Sequence, residues 1–320
     1  MFDKDVEKIA IRVGFGQGLL LAGEKNDDVV ALCADLTEST QMHLFRDKFP
    51  ERFFEMGVAE QNMASVASGM SAMGKIPFIG SYAMFSPGRN WEQIRTTICY
   101  NNRHVIIAGS HSGVSVGSDG GSHQALEDIA LTRVLPKMTV ICPCDALEAR
   151  KAVLASVDEK GAVYIRLARN QTPVITTEET PFEVGKAQIF YGDENEKSDV
   201  GIIATGALIY KALCVAEKLK KENISVTVLN MATIKPLDEE SVIALAKNTG
   251  AIVTVEEHQI AGGLGSAVAE CLSQNYPTPI EFVGVRDEFG QSGTPEELLE
   301  HYGLGESGIT DAVRKVLKRK

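Results

Sequence analysis

The sequence predicts an α/β protein with two units, each built on a parallel sheet with helices on both faces. Short apolar runs alternate with segments of helical periodicity along most of the chain. Between residues 170 and 197 this alternation is interrupted by a stretch rich in Pro, Thr, Gly and charge. A chain of 320 residues is long enough for two domains of ordinary size. The first unit is therefore expected to be a doubly wound parallel sheet.

The elements of the first unit follow from the length and periodicity of each run. Strands are expected at 29–34, 53–56, 77–82, 105–109, 138–142 and 163–167. Helices are expected between them at 60–73, 90–101, 124–133 and 146–157. Because strands and helices alternate, the strands should pair in parallel.

The second unit repeats the alternation after a linker that holds one edge strand. Strands are expected at 200–205, 225–229, 251–256 and 280–285, and helices at 207–220, 239–247, 264–274, 295–302 and 307–318. We therefore divide the chain into a first domain (1–175), a linker and edge segment (176–197) and a smaller second domain (198–320). Few reactive side chains cluster in the second domain, so we expect it to serve in packing and subunit association.

Composition excludes several classes of function. A net charge of −11 argues against a nucleic-acid or anionic-membrane partner, since both need a broad basic surface. The six cysteines form no CxxC pair, which favours reduced thiols and a cytoplasmic location. The sequence has neither an apolar signal core at its start nor an 18-residue apolar run. Cys142-Pro143-Cys144 lacks a second pair nearby, and no metal site is predicted.

Glu60 is the first candidate for chemistry. It follows a predicted strand and a Gly-Val turn in the run FEMGVAEQN and opens a predicted helix. A carboxylate there gains from the helix dipole, and burial would tune its proton affinity. Spacing alone favours an ordinary glutamate of a first helical turn, and it is the neighbouring segments that favour a functional role.

Those neighbours are an aromatic segment and a loop that we call the glycine–histidine loop (residues 109–124). Tyr82 and Phe85 lie just beyond a strand, where their rings could pack against a flat ligand. The loop leaves a strand and enters a helix, and its glycines allow a ligand close to the backbone. His111, Asp119 and His123 could converge there on a ligand. A zinc site is not predicted, since helical ligand spacing is absent.

These motifs resemble the transketolase family. The segments ADLTEST, EMGVAEQN, SYAMF, EQIRTTICY, GSHSGVSVGSDG, SHQALEDIALTRVLP and YIRLARNQTP are each similar to its pattern, in order, over about the first 170 residues. The similarity is weaker over the rest of the chain. The resemblance implies a pyrimidine-type thiamine-diphosphate-binding domain followed by a transketolase C-terminal-type domain.

The resemblance also implies roles for individual residues. Glu60 matches the catalytic glutamate, Tyr82 and Phe85 the aromatics that pack on the aminopyrimidine, and Asp119 and His123 the contacts to sugar hydroxyls. The groups near the phosphorylated end of the sugar match His111, Arg12, Ser39 and Arg169. The resemblance also implies that His111 and His123 take part in catalysis, since they would align the sugar hydroxyls for carbon–carbon cleavage. Arginine independently suits a phosphate, because its planar fork binds two oxygens at once.

The chain contains no GDG followed, about 25–30 residues on, by the Asn that the family uses to hold a diphosphate through a metal. It resembles the C-terminal subunit of a split transketolase. The resemblance implies an N-terminal partner subunit that carries the diphosphate-binding domain, Mg²⁺ (or Ca²⁺) bound through that partner, and a two-plus-two assembly acting on sugar phosphates.

Other interpretations stay open at this point. A deoxyxylulose phosphate synthase or the β subunit of a 2-oxo acid dehydrogenase would use similar motifs, although LEDIALTRVLP and the paired histidines favour transketolase. A non-catalytic regulatory or scaffold subunit descended from a transketolase half is the alternative from another class. The sequence does not specify the donor and acceptor sugars, so a modified-pentose or a sulfosugar pathway is as compatible with it as the pentose phosphate pathway.

Overall fold

The fold, described for residues 6–193 and 196–320 of a computed structural model, confirms the predicted α/β class. The first unit contains β1 (Lys8–Ala10), α1 (Ile11–Lys25), β2 (Val29–Cys33), α2 (His43–Lys48), β3 (Phe53–Glu55), α3 (Glu60–Ala72), β4 (Ile76–Tyr82), α4 (Trp91–Gln93), β5 (Ile106–Ser110), α5 (Asp128–Arg133), β6 (Met138–Ile141), α6 (Ala146–Ser156), β7 (Ala162–Arg166) and β8 (Gln171–Pro173). Short 3-10 helices at Pro50–Arg52 and Val114–Asp119 and a π-helix at Ile94–Cys99 complete it.

The second unit contains β9 (Gln188–Tyr191), β10 (Val200–Ala204), α7 (Ile209–Lys220), β11 (Val226–Asn230), β12 (Thr233–Lys235), α8 (Glu239–Thr249), β13 (Ile252–Gln259), α9 (Leu264–Asn275), β14 (Ile280–Val285), α10 (Pro295–His301) and α11 (Glu306–Leu317). A 3-10 turn at Gly206–Leu208 precedes α7. No helix among the described residues is long and apolar enough to cross a membrane.

Two mainly parallel sheets organise most of these elements, and β1 pairs with β8 in a separate antiparallel sheet. The first has the order β12-β6-β7-β5-β4-β2-β3, and all of its pairs are parallel except β12 with β6. The second has the order β14-β13-β10-β11-β9, with β9 as an antiparallel edge. Strands β2, β5, β6 and β7 are buried throughout, as expected of strands covered on both faces.

The hydrophobic core continues from one unit into the other. One cluster of buried residues joins side chains of the first sheet, such as Leu32 and Ile79, with Ile203 and Leu229 of the second. The strand β12 also crosses over, since it comes from the second half of the chain and pairs with β6 at the edge of the first sheet. Three residues are too short for a periodic pattern, so the sequence did not predict this strand.

Two predicted helices differ from the structure for local reasons. The helix expected at 90–101 is the short α4 followed by the π-helix, where the Thr96 and Thr97 hydroxyls bond to carbonyls four residues earlier. The helix expected at 124–133 begins only at Asp128, because the Gln124 side chain bonds to the Val114 and Gly117 carbonyls within the glycine–histidine loop. Elsewhere the predicted elements differ mainly at their ends.

Candidate active site

The predicted site residues gather at one edge of the first sheet. Parallel strands β2, β3, β4, β5 and β7 all end there, and the segments that follow them carry the candidate side chains. In open α/β sheets, ligands bind outside this carboxyl edge. The topology therefore gives a physical reason why residues from 39 to 169 form one site. Arg12, near the start of α1, is brought beside the segment of Arg169 by the antiparallel pairing of β1 with β8.

Glu60 is the first residue of α3, and only 2% of it is exposed. No group among the described residues donates a hydrogen bond to its Oε2, although the atom is inaccessible to solvent. The Asn90 side chain donates to the Glu60 carbonyl (3.2 Å) and to the Ser86 hydroxyl (3.1 Å), so it joins the start of α3 to the aromatic segment. A buried carboxylate oxygen without a donor is costly, and a ligand with an N–H group would satisfy it.

Four aromatic rings form a cluster next to this edge. Tyr82 and Phe85 are stacked, with ring centroids 6.3 Å apart and an interplanar angle of 19°. His123 presents its edge to both rings, at 6.2 Å from Tyr82 and 5.5 Å from Phe85. The structure thus brings together the aromatic pair and the loop histidine that the sequence placed about 40 residues apart.

His111 is buried in this cluster and stacks on Tyr82 at 3.9 Å. Its Nδ1 lies 2.9 Å from the Ser110 hydroxyl, and its backbone has a φ of 55°, which is uncommon for a side-chain-bearing residue. Burial, followed by the charges of Arg12 and Arg169, lowers the pKa of His111 to about 3. The imidazole is therefore neutral near pH 7 and can donate from one nitrogen while accepting at the other.

Asp119 and His123 lie on the more open side of the glycine–histidine loop. Asp119 ends the 3-10 segment and is exposed; no hydrogen bond or ion pair holds it within the described part of the chain. His123 is partly buried, and its Nδ1 lies 3.0 Å from the Ser122 hydroxyl. Both side chains belong to this loop, and a ligand bound beside the loop could reach both of them.

Arg12 and Arg169 form a cationic end to the site. Arg12 donates to the Ser39 carbonyl (2.6 Å), and Arg169 donates to the Val116 carbonyl (2.6 Å). Burial and the charge of Arg169 lower the pKa of Arg12. Among residues 6–193 and 196–320, neither arginine makes a salt bridge, and both line an open cleft of about 620 Å³ together with Lys8. Two uncompensated guanidinium groups are well suited to an anion.

Sequence reasoning missed several residues that hold this site in place. The Glu55 carboxylate accepts from the amides of Asp35 (2.7 Å) and Gly57 (3.0 Å), so it fixes the segment before Ser39 and the turn before Glu60. The Asn170 side chain donates to the Ser115 carbonyl, and the Glu257 carboxylate accepts from the Ser115 amide (2.6 Å). Each had a signal in the sequence, although no role was assigned to it: Glu55 stands at a strand end, Asn170 lies in the segment YIRLARNQTP, and Glu257 lies in the run Glu256-Glu257-His258, which is also similar to the family pattern.

Within the described ranges, no three His, Cys, Asp or Glu side chains are placed to hold a metal ion. A larger groove, of about 910 Å³, lies away from the site between α5, β12 and α9. None of the predicted site residues lines it.

The first unit is an α/β domain with a buried glutamate, stacked aromatic rings and a pair of arginines at one edge of its sheet. These features together define the class of pyrimidine-binding domains. Residues 7–174 match the transketolase pyrimidine-binding domain, and residues 192–309 match the transketolase C-terminal domain. The chain belongs to the transketolase family, as the sequence motifs predicted.

Relatives match over nearly the whole chain. A protein of Methanocaldococcus jannaschii, named for a transketolase C-terminal section, is 43% identical over 313 residues, which is 97% of each chain. The 6-deoxy-6-sulfo-D-fructose transketolase subunit SqwH of Clostridium sp. is 40% identical and covers 100% of this chain and 98% of its own. A solved split-gene transketolase, described as an inactive β4 tetramer, has a TM-score of 0.90 at 46% identity, with 97% and 99% of the two chains covered.

Proposed function

We propose that this chain is the C-terminal subunit of a thiamine-diphosphate-dependent transketolase, which transfers a two-carbon ketol unit from a ketose phosphate to an aldose phosphate. Family membership supports the reaction class. The observation that carries the proposal is the buried Oε2 of Glu60, to which no described residue donates a hydrogen bond, in a residue whose backbone carbonyl is tied by Asn90 to the aromatic segment. An aminopyrimidine ring offers the donor and the flat surface that this environment lacks.

The residues of this chain would hold the pyrimidine end of the cofactor. Thiamine diphosphate, when bound, supplies an electron sink for cleavage of a carbon–carbon bond. Glu60 would hold or release a proton at Oε2, toward a ring nitrogen. Tyr82 and Phe85 would pack on the ring and exclude water from it, which strengthens every polar contact in the site.

Other residues would position the sugar phosphate. His123 and Asp119 would orient hydroxyl groups at the reacting end, and the neutral imidazole of His111 would orient those toward the phosphorylated end and move protons between hydroxyls. Arg12 and Arg169 would hold the phosphate at the other end, with the Ser39 carbonyl fixing Arg12. Because the two arginines lie at one end of the site and Asp119 at the other, a donor sugar would bind with its phosphate toward the arginines.

A separate N-terminal subunit would complete the site by carrying the diphosphate-binding domain and the Mg²⁺ (or Ca²⁺) ion. Exposed apolar side chains flank the proposed pyrimidine site and suit such an interface: Val58 is 72% exposed, Phe54 37% and Met84 36%. We propose a two-plus-two assembly and the domain division 1–175, 176–197 and 198–320, of which residues 1–5 and 194–195 lie outside the described residues. The six free cysteines support a cytoplasmic location.

The test is reconstitution of ketol transfer. The chain is purified from its native cells under mild conditions, the copurifying subunit is identified, and the complex is assayed with thiamine diphosphate, Mg²⁺ and a panel of ketose and aldose phosphates. We expect Glu60→Gln to lower kcat by about 10²–10⁴-fold, the range of a lost proton-transfer group. Glu51→Gln, at an exposed carboxylate nearby in sequence, is the matched control and should leave kcat unchanged.

Two outcomes would overturn the proposal. Wild-type turnover in Glu60→Gln would remove the catalytic role of this residue. A complex that binds thiamine diphosphate calorimetrically but transfers no ketol unit between any donor and acceptor would instead support the regulatory alternative.

A further inference from the structure

The backbone of Ser115, in the middle of the glycine–histidine loop, is held from both sides. Its amide donates to Glu257 Oε1 (2.6 Å), and its carbonyl accepts from the Asn170 side chain. The next carbonyl, that of Val116, accepts from Arg169 Nη1 (2.6 Å). Two consecutive residues of the loop therefore connect Glu257 to one of the two arginines of the cationic cleft.

Glu257 reaches this loop from the other unit of the protein. It lies in β13, 142 residues from Ser115 along the chain, and only 5% of it is exposed. Gly113 leaves room for it, because a Cβ at that position would collide with the Glu257 carboxylate. The guanidinium of Arg166 donates to the Glu257 carbonyl (2.8 Å) and brings a positive charge next to the buried carboxylate.

We propose that Glu257 is a positioning residue for anion binding: by holding the Ser115 amide, its carboxylate fixes the Val116 carbonyl that aims Arg169 into the cleft beside Arg12. The two arginines repel each other, so an unconstrained Arg169 would turn away toward solvent. The second domain thereby sets affinity for the phosphorylated end of a substrate through Glu257, which does not itself line the cleft. The identity of that substrate rests on the function proposed above, whereas anion binding itself does not.

Glu256 provides a matched control within the same strand. It is 1% exposed and adjacent in sequence, but its carboxylate accepts from the amides of Leu264 (2.7 Å) and Gly265 (2.8 Å) at the start of α9. A general weakening of the second unit would follow from either substitution. Only a change at Glu257 should reach the glycine–histidine loop.

The first experiment measures the loop and the anion directly on the full-length chain. Wild type, Glu257→Ala, Glu257→Gln and Glu256→Ala are compared by hydrogen exchange of a peptide covering residues 112–120 and by ³¹P NMR titration with inorganic phosphate. We expect Glu257→Ala to speed exchange at Ser115 at least tenfold and to weaken phosphate binding about tenfold. Glu257→Gln keeps an acceptor oxygen but loses the charge, so it should fold and weaken phosphate binding about threefold. If Glu257→Ala does not fold, wild-type phosphate affinity in Glu257→Gln would count against the inference.

The second experiment uses the assembled complex and separates the two ends of the substrate. Glu257→Gln and Glu257→Ala should raise KM for a ketose phosphate in the order of their phosphate affinities, with kcat within about threefold. The KM for hydroxypyruvate, a donor without a phosphate, should not change. The inference would be overturned if hydrogen exchange at Ser115 were unchanged in Glu257→Ala, or if the wild-type chain did not bind phosphate. It would also be overturned if KM rose equally for the ketose phosphate and for hydroxypyruvate. A wild-type complex without ketol transfer would refute the proposed function alone, because exchange and phosphate titration do not depend on turnover.

Discussion

Tyr82 and His111 stack with their ring centroids 3.9 Å apart, although they leave two different strands of the first sheet. The strands β4 and β5 are paired, and Tyr82 lies opposite Ser110 in their register. His111 is the next residue, and its positive φ turns the chain so that the imidazole faces the phenol ring. One ring contact therefore joins the aromatic segment to the glycine–histidine loop.

This contact should be measurable as a coupling energy. We expect a double-mutant cycle of Tyr82→Ala and His111→Ala, followed by urea unfolding, to give a coupling of about 0.5–1.5 kcal/mol, the range for stacked aromatic side chains. Tyr82→Phe keeps the ring and should retain most of that coupling. Additive effects of the two alanine substitutions would contradict the stack.

The lowered pKa of His111 makes stability depend on pH. Unfolding returns its pKa from about 3 to an ordinary value near 6.5, so the unfolded state binds more protons between those values. Stability contributed by the neutral imidazole is complete above pH 6.5 and is lost as pH falls. From pH 7 to pH 5 the loss from this group should be about 2 kcal/mol.

His111→Gln tests this sign directly. The variant should lose less unfolding free energy than wild type between pH 7 and pH 5, whatever its stability at pH 7. His301→Gln, at an exposed histidine, is the control and should follow the wild-type profile. Parallel profiles of His111→Gln and wild type would contradict the lowered pKa.

The pair of uncompensated arginines should make the protein more stable in phosphate. An anion that binds only the folded state raises Tm as its concentration increases above Kd. We expect sodium phosphate to raise Tm relative to sodium chloride at equal ionic strength, and Arg12→Ala or Arg169→Ala to abolish most of that shift. Arg95→Ala, at an exposed arginine of the π-helix, should keep it. An equal response of all three variants would show that the cleft does not select phosphate.

Local pattern predicted much of the fold and named several of the residues that gather at the sheet edge, and it failed where long-range contacts decide the structure. Glu60, Tyr82 and His111 stand beside strand ends, and a parallel sheet brings such positions together, so their grouping follows from sequence order. The strand β12 and the contact of Glu257 with Ser115 depend on residues about 90–140 positions away, which no periodicity records. Gln124 is a further example. A helix was expected to begin at this residue, but its side chain donates hydrogen bonds to two carbonyls of the glycine–histidine loop.

Gly113 offers a final test of how tightly the loop is built against the second unit. Its φ of 82° disfavours any side chain, and a Cβ there would meet the Glu257 carboxylate. We expect Gly113→Ala to lower the free energy of unfolding by about 1–3 kcal/mol, the cost of a strained backbone conformation, and to weaken phosphate binding as well.

Gly69→Ala is the matched control, since Gly69 lies exposed in α3 with open space around its Cβ position and a helical backbone. That substitution should raise stability by up to about 1 kcal/mol through helix propensity, so the two alanines should act with opposite sign. A neutral Gly113→Ala with unchanged phosphate affinity would mean that the loop can move away from Glu257 at no cost.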